Sequence, residues 1–529
     1  MRVAAVAVLA VSGALLVSPS AGAGTDERRD ARVARAGLAS AVASGALPAR
    51  DATRYRALLS RVVVLVDRLP AERARPLAGV LHQVAERSPH YDAPRALTLF
   101  AMLELNADHL ARRPLPPPGR DVVGRDGAVY RHFAGLGLQF HPLANAMLLN
   151  AHLRDGRAAE AAALAEALTA RAVPRSGGAA VWEYPFRYSG LAPGWASGMA
   201  QAVGAQGLAR AAALVGGDPA VLRAASAAAR AVPQLSLTLR EGPWVRLYES
   251  LGLVVLNAQL QTVISLAEYA ELTGDAAAAG LAVRMRGAAA GLLPRFDTGY
   301  WSSYSLENES PLSYHRYVVE MLRRLARDTG EPVWADTARR FVEYERQPPL
   351  FRAARTTTVV YPRAENDPHG RAAFRFWVSK ISDVTLFVGG KWRRAVRVRG
   401  GWNTLRWTPP AGLELGRLPV RLSARGLAGN RAQIELGYLD VRRDAAPPRL
   451  RASVGRTRLY WRATDEASER LRLRLRLARG GVVRTVDLGS RPLNGLWPLR
   501  LLPAGTWWAA LEARDASGNL ARVPLGRVS

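Results

Sequence analysis

Cysteine is absent from all 529 residues. That excludes disulfides, thiol nucleophiles and a lipoprotein anchor, and leaves stability to core packing. Lysine is nearly absent too: Lys380 and Lys391 are the two, so 71 of the 73 basic residues are arginine, the bias of a GC-rich coding sequence. The 8 histidines lack ligand spacing, which argues against a zinc centre. No P-loop, GxSxG, HExxH or dinucleotide fingerprint occurs. The net charge of +29 is spread along the chain with no basic block or tail, so there is no nucleic-acid footprint. Such a charge suits an acidic polymer met by arginines inside a groove.

What is present reads as a globular chain of several domains, 49% hydrophobic and 22% charged. Arg2, an apolar run from Val3 to Val17 and the small residues Ala21-Gly22-Ala23 predict a signal peptide over 1–23, and hence a secreted or cell-envelope protein. After it no segment reads as apolar enough to cross a bilayer. Residues 24–129 form an N-terminal helical region, rich in Ala, Arg and Leu and broken at Pro114, Pro116, Pro117 and Pro118. From 130 to about 350 a pattern recurs four times, a helix ending in a Gly/acid turn before a second helix: Asp155-Gly156, Gly217-Asp218, Gly274-Asp275 and Gly330-Glu331. These glycines are 61, 57 and 56 residues apart, the size of a helical hairpin plus a long connection.

A geometric expectation follows. Short turns within hairpins share one end of the array, so the long connections emerge together at the other. The first connection carries Trp182, Glu183, Tyr184, Tyr188 and Trp195. The second carries Trp244, Arg246, Tyr248 and Glu249. The third carries Arg295, Asp297, Tyr300, Trp301, Tyr304, Glu307, Tyr314 and His315. Loops held on a rigid scaffold are where a site is expected.

After about 350 the hydrophobic period becomes two. Phe374–Val378, Val384–Val388, Arg458–Arg462 and Thr506–Ala513 read as strands. Leu422-Ser423-Ala424-Arg425 before Gly429-Asn430, and Leu511-Glu512-Ala513-Arg514 before Gly518-Asn519, repeat with an offset of 89 residues. That is the length of one immunoglobulin-like β-sandwich, and two are predicted, at 351–446 and 447–529. Both Gly-Asn loops read as ordinary turns rather than calcium loops.

One stretch carries a family resemblance. Leu256-Asn257, Leu272-Thr273-Gly274-Asp275, the run from Leu293-Pro294-Arg295-Phe296-Asp297-Thr298-Gly299 to Tyr304, and Tyr314-His315 resemble the C-terminal catalytic domain of D-glucuronyl C5-epimerases. Pro193-Gly194-Trp195-Ala196-Ser197-Gly198 resembles an upstream motif of that family. The resemblance covers about 130 to 346. It implies an (α/α) toroid, and so a multidomain α plus β chain in which a toroid-like helical domain is followed by the two sandwiches.

The resemblance also implies inversion at C5 of uronic acid residues in an acidic polysaccharide (heparosan-glucuronate 5-epimerase-like), without cofactor or metal. The hydrogen removed is α to a carboxylate. A base is therefore needed on one ring face, an acid on the other, and positive charge at the carboxylate. Tyrosine can serve if cationic neighbours pull its pKa of about 10 downwards. By the resemblance Tyr304 and Tyr314 are the leading catalytic candidates, with Tyr248 and Glu249 approximating a Glu-Tyr pair. Tyr184, Tyr188, Trp195, Tyr300 and Trp301 are candidate substrate contacts, and His315 is either a proton relay or a satisfied packing histidine. Three residues after Tyr304 the family has an arginine where this chain has Glu307, so Arg246, Arg295 or Arg316 is expected to replace it. Asp297 reads as a structural turn residue. Tyr130 and His141 are further candidates for the cleft.

A lyase shares the proton abstraction and differs in expelling the C4 substituent. A hydrolase needs two opposed carboxylates, for which Glu183, Glu249 and Glu307 are the supply. A non-catalytic glycan binder is the third reading. The β modules read as cell-wall anchors or spacers, and the oligomeric state is left open, a dimer included.

Overall fold

The computed structural model describes residues 26–214, 218–354, 356–361, 372–410 and 413–529. The expected signal peptide at 1–23 and Gly217 of the second turn lie outside them. The chain divides into a helical unit ending at Glu343 and a strand-rich unit from Tyr344 to Ser529.

Twelve α-helices are found among the described residues. Four come first: α1 (Glu27–Ala43), α2 (Ala49–Arg68), α3 (Ala71–Glu86) and α4 (Ala93–Arg112). A three-stranded antiparallel sheet follows, β1 (Asp121–Val123), β2 (Val129–Phe133) and β3 (Gly137–Phe140). Four hairpins then run α5 (Pro142–Arg154) with α6 (Ala158–Thr169), α7 (Gly198–Leu214) with α8 (Pro219–Gln234), α9 (Leu256–Thr273) with α10 (Ala276–Leu292), and α11 (Leu312–Thr329) with α12 (Pro332–Arg346).

The turns form for the expected reasons. Gly156, Gly274 and Gly330 sit at φ near 70°, the left-handed conformation that closes a helix without strain. Asp218 and Asp275 then cap the next helix, accepting from the amides of Ala220 and Ala278. Short turns leave the strands to the long connections: β4 (Val173–Pro174) and β5 (Ala180–Val181) before α7, β6 (Ser236–Leu239) and β7 (Gly242–Val245) before α9, β8 (Ser303–Ser305) and β9 (Asn308–Glu309) before α11.

The first helix of each hairpin packs on the first helix of the next, α5 on α7, α7 on α9 and α9 on α11. In α7, 14 of 17 residues are buried, so this helix is enclosed on all sides. α11 instead buries a stripe made of His315, Val318, Val319, Met321, Leu322 and Leu325. Ala276–Phe296 reaches the length and hydropathy (1.2) of a membrane span, contrary to the sequence expectation. The excess comes from its alanines, and the helix is the second arm of a hairpin, packed on α9.

A second regularity was invisible in the sequence. The fourth residue of each first helix is a polar side chain that pins the connection before it. Asn145 exchanges two hydrogen bonds with the backbone of Val129 (2.6 and 2.8 Å). Gln201 does so with Trp182 (3.1 and 3.4 Å). Gln259 binds the amide of Val245 and the carbonyl of Pro243. In α11 the position is His315, fully buried, with Nδ1 2.7 Å from Ser302 Oγ and Nε2 2.8 Å from the Phe341 carbonyl. A buried amide that copies a strand edge satisfies both backbone groups at once.

In the second unit β10 (Phe351–Arg352), β12 (Ala372–Val378) and β15 (Gly401–Trp407) form one sheet. β11 (Thr356–Val360), β13 (Ser382–Val388), β14 (Trp392–Val398), β16 (Gly416–Gly426) and β17 (Arg431–Val441) form another in the order β11-β17-β16-β13-β14. Both contribute to one core with Phe374, Phe376, Leu386, Trp407 and Leu422. β18 (Arg449–Val454), β19 (Arg458–Thr464) and β22 (Asn494–Pro498) face a second pair-mate made of β21 (Val482–Pro492), β20 (Arg470–Arg479), β23 (Trp507–Arg514) and β24 (Leu520–Val528). Their core holds Trp461, Leu473, Leu475, Trp497 and Leu511. In β20 leucine alternates with arginine, and each leucine is buried while each arginine is exposed. Buried Lys380 donates to the carbonyls of Tyr344 (2.5 Å) and Gln347 (2.6 Å).

Candidate active site

The three connections bring their tyrosines together. The Tyr188 ring lies 5.1 Å from that of Tyr248, with the two hydroxyl oxygens 3.5 Å apart. Tyr248 in turn lies close enough to Tyr304 for each phenol to act on the other's charge. The Tyr304 ring meets Tyr314, in the first turn of α11, edge-on at 5.2 Å. Four phenols from three loops and one helix start thus form a continuous, partly exposed patch.

Its floor is apolar and rigid. Tyr184 stacks on Trp195 at 3.9 Å with the planes 1° apart, and the backbone of Tyr184 pairs with Gly194 and Trp195. Phe186 packs edge-on to both, and Trp195 donates its indole N–H to the Phe186 carbonyl. Tyr184 and Trp195, candidate substrate contacts, are 4% and 7% exposed, so they support Tyr188 and Tyr248 from beneath. His141 meets the edge of Tyr184 at 5.3 Å and caps α5 through Nδ1. Burial, aided by the Arg131 charge, drives its pKa down to about 3, so it stays neutral. Tyr130 is buried and bonded to Asp126, away from this patch.

The electrostatics differ from the expectation that cations pull the phenols down. Burial pushes Tyr184, Tyr248, Tyr304 and Tyr314 above the ordinary phenol range. Neighbouring phenols add to the rise at Tyr248 and Tyr304. Against burial at Tyr314 stands Arg131, whose charge favours its phenolate. Arg131, in β2 and 4% exposed, is gripped by Asp121 at 2.7 and 2.8 Å. Sequence reasoning missed it because it precedes the first hairpin.

Several other candidates have structural tasks. The Glu249 carboxylate accepts from the amide of Ala196 at 2.8 Å, fastening the second connection to the first. Arg246 binds the carbonyls of Ser236 and Glu249. Trp301 is 1% exposed, stacks on His315 at 3.8 Å and donates to the Ser310 carbonyl. Trp301 and His315 therefore hold the third connection from inside, and of the two readings of His315 the geometry favours the packing one. Asp297 accepts from the Gly299 amide at 2.9 Å and pairs with Arg340 at 3.0 Å, as expected of a turn residue. Glu307 is exposed between β8 and β9, and Arg295 and Arg316 are exposed; Tyr300 is half-buried.

Glu183, 9% exposed, is clamped by Arg95 at 2.8 and 3.0 Å, Arg175 at 3.1 Å and Arg87 at 3.2 Å. Its carboxylate is thereby engaged by three guanidinium groups in a structural clamp. Arg87 also donates to the Pro193 carbonyl at 2.8 Å, so α3 and α4 brace the first connection. A cavity of about 20 Å³ beside this clamp holds no more than a water. Beneath the phenols a further polar line missed in the sequence crosses the enclosed helices. Tyr317 donates to Gln261 (2.6 Å), Gln261 to Ser265 (2.9 Å) and Ser265 to Gln206 (2.9 Å). Gln206 then donates to Glu268, which also binds Arg210 and Arg324.

Residues 176–343 match the family model described as D-glucuronyl C5-epimerase C-terminus, the family that the residues resembled. No curated protein sequence matches the chain. Similar solved structures include a GH76 alpha-mannanase of Bacteroides thetaiotaomicron, 14% identical with a TM-score of 0.30, over 38% of this chain and 60% of that one. Others are fibronectin(III)-like modules of Clostridium thermocellum CbhA (14% identical, TM-score 0.16, 33% of this chain and 92% of that one) and a bacterial ice-binding adhesin (13%, 0.17, 34% and 65%). At these scores the likenesses carry no argument.

Proposed function

We propose that the helical unit is an epimerase of the C5-epimerase kind, acting on uronic acid residues inside an acidic polysaccharide. The observation that carries this reading is the convergence of Tyr188, Tyr248, Tyr304 and Tyr314 from separate connections, inside the stretch that matches the family model. An epimerase needs two proton-exchanging groups at one carbon, and adjoining Tyr304 and Tyr314 supply them.

Tyr314, whose phenolate the Arg131 charge favours against burial, takes the C5 hydrogen as base. The C5–H electron pair moves into the carboxylate, giving a doubly charged enediolate. Tyr304, which burial keeps protonated, returns a proton to the opposite face, and C5 is inverted. Solvent reaching the partly exposed patch then takes the proton from Tyr314 and returns one to Tyr304, which resets both phenols. Of the cations expected to replace the family arginine lost at Glu307, Arg295 and Arg316 are exposed and available to a substrate carboxylate. In this reading the helical unit is an (α/α) toroid, the two β modules are immunoglobulin-like, and the chain is exported and held at the cell envelope.

Raised phenols also suit a receptor that only donates hydrogen bonds to a glycan, and this is the alternative. Incubation of the purified protein with uronic-acid polymers in deuterated water separates the two. Deuterium at C5 of an intact chain supports the epimerase. An ultraviolet-absorbing unsaturated uronate makes the protein a lyase, and binding without exchange makes it a receptor.

A further inference from the structure

Three carboxylates converge in the strand-rich unit, in a place that the epimerase reading does not use. Asp444 lies in the connection between β17 and β18, Asp465 directly after β19, and Asp515 directly after β23. One oxygen of each lies within 4.8 Å of the others. Asp444 and Asp515 are 8% and 6% exposed, and Asp465 is half-buried. Among the described residues no arginine or lysine is ion-paired with any of the three. Asp444 Oδ1 accepts from the Ala446 amide, but its buried Oδ2 has no hydrogen-bond partner. A buried, unpaired carboxylate oxygen beside two further carboxylates is strongly unfavourable without a cation.

We propose that Asp444, Asp465 and Asp515 form a site for a divalent cation of the calcium class, which fastens the connecting segment to the second β module. All the donors are hard oxygens, which excludes a zinc-type site. Three carboxylates from separate connections give an irregular oxygen set, which calcium accepts more readily than magnesium with its strict octahedron. The surroundings hold the carboxylates in place. Asn519 donates its amide and side-chain N–H to Asp515 (2.8 and 2.9 Å), and Asp465 accepts from the Ala467 amide at 2.9 Å. The same Asn519 side chain donates to the carbonyls of Asp444 (3.1 Å) and Ala446 (3.2 Å), tying the connector to the turn. The Gly518-Asn519 turn, read from the sequence as ordinary, is thus the rim of this site.

The full chain, stripped with a chelator and dialysed, is titrated with calcium by calorimetry. One saturable equivalent is expected. At a hundredfold excess over Kd the melting midpoint of the strand-rich unit rises by roughly 5–10 °C. Asp444→Asn, Asp465→Asn and Asp515→Asn each weaken binding at least about tenfold. Without metal their midpoints hold or rise, because like-charge repulsion is relieved. No saturable uptake by the wild-type chain, equal affinity in all three variants, or magnesium bound as tightly as calcium overturns the proposal. The wild-type stoichiometry decides the matter even if a variant fails to fold.

Discussion

Replacing Glu183 by Gln removes one charge from a clamp that spans 88 to 96 residues of sequence. The carboxylate is 9% exposed, and its partners Arg87, Arg95 and Arg175 are 14%, 21% and 33% exposed. Solvent therefore does little to compensate the loss. Arg95 keeps Asp92 at 2.6 Å, and Arg87 keeps the Pro193 carbonyl, so part of the network survives. Breaking a buried ion pair from one side costs about 3–5 kcal/mol, and the surviving partners place this case near about 3. With about 1.5 °C per kcal/mol for a unit of this size, the helical transition falls by roughly 4–5 °C. Calorimetry, with circular dichroism at the helix band, reads this directly. Glu86→Gln is the control, since it pairs with Arg187, which is 65% exposed, and changes stability by under about 1 kcal/mol. If Glu183→Gln melts within about 2 °C of the wild type, the argument that this clamp braces the first connection is refuted.

Tyr304→Phe and Tyr314→Phe each lower C5 deuterium exchange by roughly 10²–10⁴-fold while Tyr460→Phe, in β19 of the strand-rich unit, leaves it near wild type; exchange is followed by NMR, and equal effects at all three sink the assignment. Folded Tyr248 and Tyr304 hold their protons above the ordinary phenol range. The unfolded chain releases those protons near pH 10, so their contribution to stability is complete below that pH and lost as pH rises beyond it. Melting at pH 9 and pH 11 should accordingly differ less in Tyr248→Phe than in the wild type. Gly204→Ala, at a helix position where alanine is normally better, costs about 1–3 kcal/mol because its Cβ would lie 2.3 Å from Trp182. Gly287→Ala, with open space around it, gains up to about 1 kcal/mol in urea unfolding.

The hairpins were legible because their turns rest on local chemistry, a left-handed glycine and then a capping acid, as Gly274-Asp275 shows. The strands of the second unit were legible for the same kind of reason, alternation at period two, as in Phe374–Val378. The meeting of Tyr188, Tyr248 and Tyr304 followed from topology, since hairpins with short turns leave their long connections at one end. What the sequence hid depends on partners far along the chain. His315 and Trp301 look like loop residues with exposed rings, yet the pinning position of α11 draws both inside. Arg131 and the Glu183 clamp could not be found by local pattern, because α3, α4 and β2 approach the connections only in three dimensions. The shift of the phenols was misjudged in sign, because burial outweighs the few cations near them.

Burial of Lys380 has a practical corollary. Its amine, 3% exposed, is occupied by two carbonyls, whereas the side chain of Lys391, beside Glu414, is 70% exposed. Acylating dyes, once the more reactive α-amino group is blocked, therefore meet a single accessible ε-amine, on the rim of the first β module. One fluorophore can be attached there without mutagenesis, and with no thiol anywhere in the chain a second, orthogonal dye needs only one introduced cysteine.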